Sequence, residues 1–398
     1  MEENFINGQN PSPENNNPGQ QAPKPQPYNY YGGQQTPPPQ PQPYNYNQPL
    51  PPQQQQYQQQ YGYGQTPYMQ AVAPVEVMPN GIPVNPRIEE KKFIKKHYNI
   101  TSWMLILNSF LPMVLLFFFL GFYELIAKFS KFPYGIDMSI KTSAIVLFYI
   151  ISDLLIVFIG CKATNTKLTP LFNMKSFSAS YLLIGAAIAI GMNLTAILAS
   201  SLLETGVENL FGVMLVEPDD TPPSFIYMIV DSVYAVLIAP FVEELVFRGF
   251  VLKNFSRYNV YTGIVMSGLL FGLMHGNFYQ FIFTAPFGIA LAYMTVKSNS
   301  IVPAMFTHFL ANAGVTAINL VGLNDVELSD GFFVLWLGFF IVVGLIFLII
   351  GLSSKMIRLP KNTKAEKKRG FPLVFTSHAV IIYMIIQLIE CFMAIEKL

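Results

Sequence analysis

Two adjacent carboxylates and an arginine lie in a stretch of the chain that is otherwise apolar, FVEELVFRG at residues 241–249. A charged side chain at the centre of a membrane helix costs about 2.5–3.5 kcal/mol, so these groups need partners and indicate a functional site. On a helix, Glu243 and Glu244 point about 100° apart, so we expect them to have different roles. Glu244 precedes Arg248 by four residues, the spacing of a helical ion pair. We therefore predict a buried structural pair between Glu244 and Arg248, with Glu243 facing the helix bundle. The alternative is one structural network of all three.

Two histidines and an amide follow on later apolar segments. His275 stands near the end of the run SGLLFGLMHG (267–276), four residues after Phe271. His308 and Asn312 are also four residues apart, so they lie on one face of a helix. A lone histidine on an apolar helix is often a hydrogen-bonded core residue. Two histidines with a glutamate and an amide on separate helices favour a functional site.

A glutamate and two histidines can together activate a water molecule. The carboxylate takes a proton, and the imidazoles bind a divalent ion or hydrogen-bond an oxyanion, which predicts a hydrolase. The chain has no HExxH motif, so a zincin helix is absent. Val265 replaces the glycine of the rhomboid serine motif, and neither Asp153 nor Asp231 follows Gly-x-Gly as in intramembrane aspartyl proteases. We expect these two aspartates to have tertiary partners.

Three short motifs occur in order on successive apolar segments: EExxxR at 243–248, FxxxH at 271–275 and HxxxN at 308–312. Together they resemble the motif set of the CAAX protease and bacteriocin-processing (CPBP, or Abi) intramembrane proteases, which include type II CAAX prenyl endopeptidases. The resemblance covers about residues 225–315. It implies an intramembrane endopeptidase of the glutamic or metallo type, acting on a peptide or membrane-protein substrate.

The same resemblance implies roles for individual residues. Glu243 would activate the attacking water, and Asn312 would assist His308. His275 and His308 would stabilise the oxyanion or bind a divalent metal, for which zinc is the candidate. The implied catalytic set in this chain is Glu243, Glu244, Arg248, His275, His308 and Asn312.

The elements that position these residues are predicted to be transmembrane helices. The chain is 52% hydrophobic and 12% charged, whereas a soluble domain has about a quarter charged residues. The net charge of +1 gives no case for nucleic-acid binding. Apolar runs long enough to cross the bilayer predict an all-α polytopic bundle of about eight or nine helices in contact with membrane lipid, the fifth being short. The predicted spans are 103–123, 140–160, 180–203, 224–251, 261–275, 279–296, 300–321, 331–352 and 372–392.

Charged residues between the spans predict the orientation. Basic residues cluster at 87–96, 162–175 and 355–369, while the loop at 204–220 is acidic and contains no Lys or Arg. The positive-inside rule then places the N-terminus in the cytoplasm and the C-terminus outside. We expect a multi-pass protein of the cell membrane, with no cleaved signal peptide ahead of the first helix.

The chain divides by composition into a tail at 1–90 and a membrane domain at 91–398, with the protease-like core at about 180–321. The tail is rich in Pro, Gln, Asn and Tyr and repeats PQPYNY at 25–30 and 41–46. Such a segment cannot bury enough apolar area to fold, so we expect it to be disordered. It is either a solvated tether or a docking tail for a protein partner.

Two other functions are compatible with the same residues. One is a non-catalytic member of the family that acts as a membrane scaffold or a bacteriocin-immunity protein. The other is an ion-coupled transporter in which Glu243, His275 and His308 relay protons. A transporter of this kind is expected to contain internal repeats, and the hydropathy pattern has none.

Overall fold

The computed structural model describes residues 86–130, 134–215, 225–257, 259–323, 326–353 and 370–397, and these are almost entirely helical. The predicted all-α fold class is therefore confirmed. The prediction of a disordered tail over residues 1–90 falls almost wholly outside the described residues.

The helices are numbered here in chain order, and α4 consists of five consecutive pieces. They are α1 (Pro86–Ser130), α2 (Tyr134–Thr164), α3 (Ala179–Phe211), α4 (Phe225–Val233, Tyr234–Ile238, Ala239–Glu244, Leu245–Val251 and Leu252–Phe255), α5 (Val260–Leu273), α6 (Phe278–Ser298), α7 (Val302–Gly322), α8 (Val326–Ser353), α9 (Phe371–Val374) and α10 (His378–Met393).

The predicted spans coincide with these helices. Among the described residues, α1, α2, α3, α6, α7 and α8 are each long and apolar enough to cross a membrane, and α5 and α10 are shorter apolar helices. The short fifth span corresponds to α5, which has 14 residues. The last span, predicted as one helix over 372–392, is wrong in detail. The chain turns after α9, where the Ser377 hydroxyl donates to the Leu373 carbonyl at 2.7 Å, and α10 begins after Ser377.

Helix α4 lies at the centre of the bundle, where α2, α5, α6 and α7 pack against it. Every residue from 244 to 256 is buried. A helix that is buried on all sides must be apolar on all sides, and LVFRGFV at 245–251 satisfies this except at Arg248. Glu244 and Arg248 are therefore held in the interior of the bundle.

Glycines allow α5 to approach α6 closely. A Cβ on Gly268 would lie 2.5 Å from the backbone nitrogen of Ile289, and a Cβ on Gly272 would lie 3.0 Å from the backbone of Ala285. Gly276 has a different role, because it lies beyond the end of α5 with φ +66°. This left-handed conformation favours glycine and lets the chain turn from α5 into α6.

A short antiparallel pair joins β1 (Val213–Met214), which follows α3, to β2 (Glu396–Lys397), which follows α10. The C-terminal ends of α3 and α10 therefore lie at the same end of the bundle. In the predicted set of nine spans, an even number of spans lies between these two ends.

Candidate active site

Two π-helical turns flank the piece of α4 that carries the glutamates. Tyr234–Ile238 and Leu245–Val251 are π-helical, and Ala239–Glu244 between them is α-helical. The predicted span at 224–251 is therefore a continuous helix that is α-helical only in part. Proline in a helix clashes with the carbonyl four residues earlier, and the π-turn before Pro240 relieves this clash. Such turns often occur at functional sites because they redirect the side chains that follow.

The ion pair predicted between Glu244 and Arg248 is present. Arg248 Nη1 lies 2.8 Å from Glu244 Oε1, and both side chains are 0% exposed. Arg248 Nη2 also donates to the Gly288 carbonyl at 3.1 Å, and its guanidinium carbon lies 4.5 Å from the centre of the Phe271 ring. The buried cation thus has a carboxylate, a carbonyl and an aromatic face as partners.

His308 joins the two glutamates. Its Nδ1 lies 3.0 Å from Glu244 Oε1, and its Nε2 lies 3.9 Å from Glu243 Oε2. Both glutamates therefore lie next to the same imidazole. The imidazole has nitrogens on two edges, so two carboxylates that point in different directions can both reach it. Arg248, Glu244, His308 and Glu243 form a continuous chain from the buried interior to the 14% exposed side chain of Glu243.

Aromatic rings fix the orientation of the two histidines. The centre of the Phe271 ring lies 5.2 Å from that of His275 and 5.7 Å from that of His308, both in edge-to-face geometry. Phe287 contacts His308 from α6 in the same way, at 5.7 Å. Phe271, which the FxxxH motif contains, is therefore the shared packing partner of both imidazoles.

His275 lies in the turn after α5 rather than on the helix itself. Its Nδ1 is 2.9 Å from the Phe271 carbonyl, and because a carbonyl can only accept, the Nδ1 atom carries the hydrogen. Its Nε2 is then a hydrogen-bond acceptor. Asn277 supports this turn, since its amide donates to the His275 carbonyl at 3.0 Å and its side-chain oxygen accepts from the Gln280 nitrogen at 2.7 Å.

A cavity of about 780 Å³ contains both Glu243 and His275 in its wall. The wall also includes Asp153 of α2, Asp231 of α4 and Glu390 of α10. Among the described residues that line this cavity, none is Lys or Arg. The structure therefore brings His275 to the same space as Glu243, although the two residues come from different helices.

Asn312, which the family resemblance gives the role of assisting His308, hydrogen-bonds to the backbone of α4. Its amide nitrogen donates to the Ala235 carbonyl, at 2.8 Å, in the first π-helical turn of α4. The residues that line the cavity in the described part of the chain do not include Asn312. Asn312 thus connects α7, which carries His308, to the helix that carries Glu243.

Comparison with known proteins agrees with this geometry. Residues 225–314 match a family model described as type II CAAX prenyl endopeptidase Rce1-like. This confirms the resemblance seen in the motifs and supports a CAAX protease-type function in general. The Rce1-like segment extends from the start of α4 into α7, and so includes both glutamates, both histidines and Asn312. No curated protein and no solved structure matches the chain.

The described side chains of the Rce1-like segment are not arranged as a metal site. In the part of the chain that the structure describes, no group of three or more His, Cys, Asp or Glu side chains is placed to hold a metal ion. Glu243 and His308 provide at most a pair, whereas a catalytic zinc site has three protein ligands. The donor set therefore does not fit the zinc implied by the family resemblance.

Several residues of the cavity wall lie outside the three motifs. Asp153 accepts a hydrogen bond from the Asn108 amide at 2.9 Å, which gives it the tertiary partner expected from the sequence. Glu390, which accepts a hydrogen bond from Gln387 at 2.7 Å, was missed. The signal was present in the sequence, because Gln387 and Glu390 are polar residues inside a predicted span and such residues are costly there.

Proposed function

We propose that this protein is an intramembrane endopeptidase in which Glu243 activates the attacking water. The observation that carries the proposal is the chain from Arg248 through Glu244 and His308 to Glu243, which ends at the cavity wall. Each buried member has a partner of opposite charge or a hydrogen-bond partner, so Glu243 is held against a rigid support. Such preorganisation is what a catalytic carboxylate requires.

In the proposed reaction, a water molecule binds between the Glu243 carboxylate and His275 Nε2, both of which accept hydrogen bonds. Glu243 takes a proton from the water while the water oxygen forms a bond with the scissile carbonyl carbon. The carbon–nitrogen bond then breaks, and the proton passes from Glu243 to the leaving nitrogen. No step in this scheme requires a metal ion.

His308 has a supporting role in the same scheme. Because the Glu244 carboxylate accepts from His308 Nδ1, the Nε2 atom is left as an acceptor facing Glu243. The distance of 3.9 Å from Nε2 to Glu243 Oε2 is longer than a hydrogen bond. When Glu243 carries the proton taken from water, its hydroxyl can donate to Nε2, and this interaction would stabilise the protonated intermediate.

The proposed setting is the cell membrane, with the N-terminus in the cytoplasm and the tail available to a protein partner. The charge pattern of the loops supports this orientation. The proposed substrate is a peptide or a membrane-protein segment that enters the cavity from the bilayer or its surface.

The test uses the purified full-length protein in detergent and in liposomes. It is incubated with prenylated C-terminal peptides, leader peptides and transmembrane peptides, and products are identified by mass spectrometry. We expect cleavage of at least one class by the wild type and by the control Glu208→Gln, which changes an exposed carboxylate on α3. Glu243→Gln is expected to abolish cleavage. Equal cleavage by Glu243→Gln would refute the assignment, and no cleavage by any protein would favour a non-catalytic scaffold.

A further inference from the structure

We propose that Asn312 is a positioning residue that maintains the π-helical turn before Glu243. Asn312 supplies the hydrogen bond to the Ala235 carbonyl that the backbone of α4 cannot supply. This inference rests on the proposed function for its kinetic consequence, but the structural part can be measured independently of cleavage.

The hydrogen bonds of the backbone leave the Ala235 carbonyl without a helical donor. The Ala239 N–H donates to the Tyr234 carbonyl, five residues earlier, as in a π-helix. In the same pattern, the Ala235 carbonyl would accept from residue 240, which is Pro240 and has no N–H. A carbonyl without a partner inside a membrane protein is energetically unfavourable. The Asn312 amide fills this position at 2.8 Å.

This turn determines where Glu243 points relative to the rest of α4. A π-turn adds one residue to the helix, which rotates one side of the helix relative to the other by about 100°. Residues 244–256 are all buried and therefore held in place by packing. If the turn became α-helical, either the part of α4 before it or the piece carrying Glu243 would have to rotate. The hydrogen bond from Asn312 opposes this change.

The location of Asn312 explains why this effect reaches the active site. Asn312 lies one helical turn after His308 on α7, so its bond to Ala235 ties together the helices that carry His308 and Glu243. The 3.9 Å contact between these two side chains depends on that alignment. Asn312 itself does not line the described part of the cavity wall.

The proposal makes a specific prediction about a double substitution. Pro240→Ala restores an N–H at position 240, which can then serve the Ala235 carbonyl. Asn312→Ala in the wild-type background is expected to lower kcat at least tenfold, with KM changed by less than about threefold, because a small misplacement of reacting groups is enough for this loss. In the Pro240→Ala background, the same Asn312→Ala substitution is expected to change kcat less than about threefold.

The control for removing a membrane proline is Pro286→Ala, since Pro286 lies inside α6, a different helix from the one that contains Ala235. In that background, Asn312→Ala is expected to have its full effect. If Asn312 instead acts on substrate or on His308, its effect will be equally large in all three backgrounds, and the proposal is wrong. Full activity of Asn312→Ala alone also overturns it.

A structural readout keeps the proposal testable if Pro240→Ala is inactive or if the wild type cleaves no peptide. Spin labels are placed at the exposed positions Val233, before Pro240 on α4, and Leu320 on α7, in a variant without the native cysteines. We expect Asn312→Ala to shift the measured distance distribution. Adding Pro240→Ala to the Asn312→Ala variant is expected to reverse that shift. An unchanged distribution in Asn312→Ala refutes the positioning role, whereas absence of cleavage by the wild type refutes only the proposed function.

Discussion

Replacing Glu244 by Gln is expected to destabilise the protein, whereas replacing Glu243 by Gln is expected to remove activity alone. Glu244 and Arg248 are 0% exposed and 2.8 Å apart. Removing one partner of a buried pair leaves the other charge without compensation, which costs about 3–5 kcal/mol. That cost corresponds to a shift of roughly a hundred- to several-thousand-fold in the unfolding equilibrium. The substitution preserves shape, so the loss comes from charge rather than from packing.

Glu243 has far less to lose in stability. Its side chain is 14% exposed, and its contact with His308 is 3.9 Å, longer than a hydrogen bond. Glu243→Gln is therefore expected to change the free energy of unfolding by less than about 1 kcal/mol, the range of substitutions that break no buried network. Comparing the changes in unfolding free energy caused by Glu243→Gln and Glu244→Gln therefore tests whether the two glutamates have separate roles.

The assay is unfolding of the purified protein in mixed micelles at increasing SDS concentration, combined with the peptide-cleavage assay. Glu208→Gln on the surface of α3 is the matched control. Unfolding of Glu244→Gln at the same SDS concentration as the wild type would contradict the predicted role of the Glu244–Arg248 pair. Equal loss of stability in Glu243→Gln and Glu244→Gln would contradict the division of roles, since all three charges would then act as one structural network.

Three further predictions concern other parts of the molecule. Cysteine labelling in intact cells, in a variant without native cysteines, should modify Glu208→Cys and leave Gln20→Cys unmodified; labelling of Gln20→Cys alone contradicts the orientation. Treatment of the purified protein with a strong zinc chelator should leave peptide cleavage within about twofold of the untreated rate, and a loss that zinc reverses would show that a metal is needed. Gly268→Ala should cost about 1–3 kcal/mol of stability, because a Cβ would lie 2.5 Å from the Ile289 nitrogen, whereas Gly121→Ala, with open space around it, should not.

Local spacing explains why part of the site could be predicted from the sequence. The pair of Glu244 with Arg248 depends on a separation of four residues within one helix, which a sequence displays directly. The hydrogen bond from His275 to the Phe271 carbonyl also spans four residues, although His275 lies just past the end of α5. The positions of the spans can likewise be predicted from the apolar composition and length of each run, since the bilayer imposes both.

Contacts between helices could not be predicted in the same way. That His308 contacts both Glu243 and Glu244 depends on the position of α7 against α4, which no spacing within either helix encodes. The π-helical turns are a partial exception, because Pro240 inside an apolar span predicts an interruption. That the interruption is a π-helical turn, and that Asn312 donates to its Ala235 carbonyl, depends on the packing of α7 against α4.

The last helix shows how an energetic argument can identify a residue that motifs do not. Glu390 of α10 lies outside the Rce1-like segment, but its carboxylate lies close to the turn at Gly276, next to His275. A carboxylate in an apolar helix must have a polar environment, and in this bundle the cavity containing Glu243 provides it. The cost of burying charge therefore applies to α10 as it does to α4. The position of Glu390 in the cavity wall indicates that the region outside the family match also forms part of the surface against which a substrate would bind.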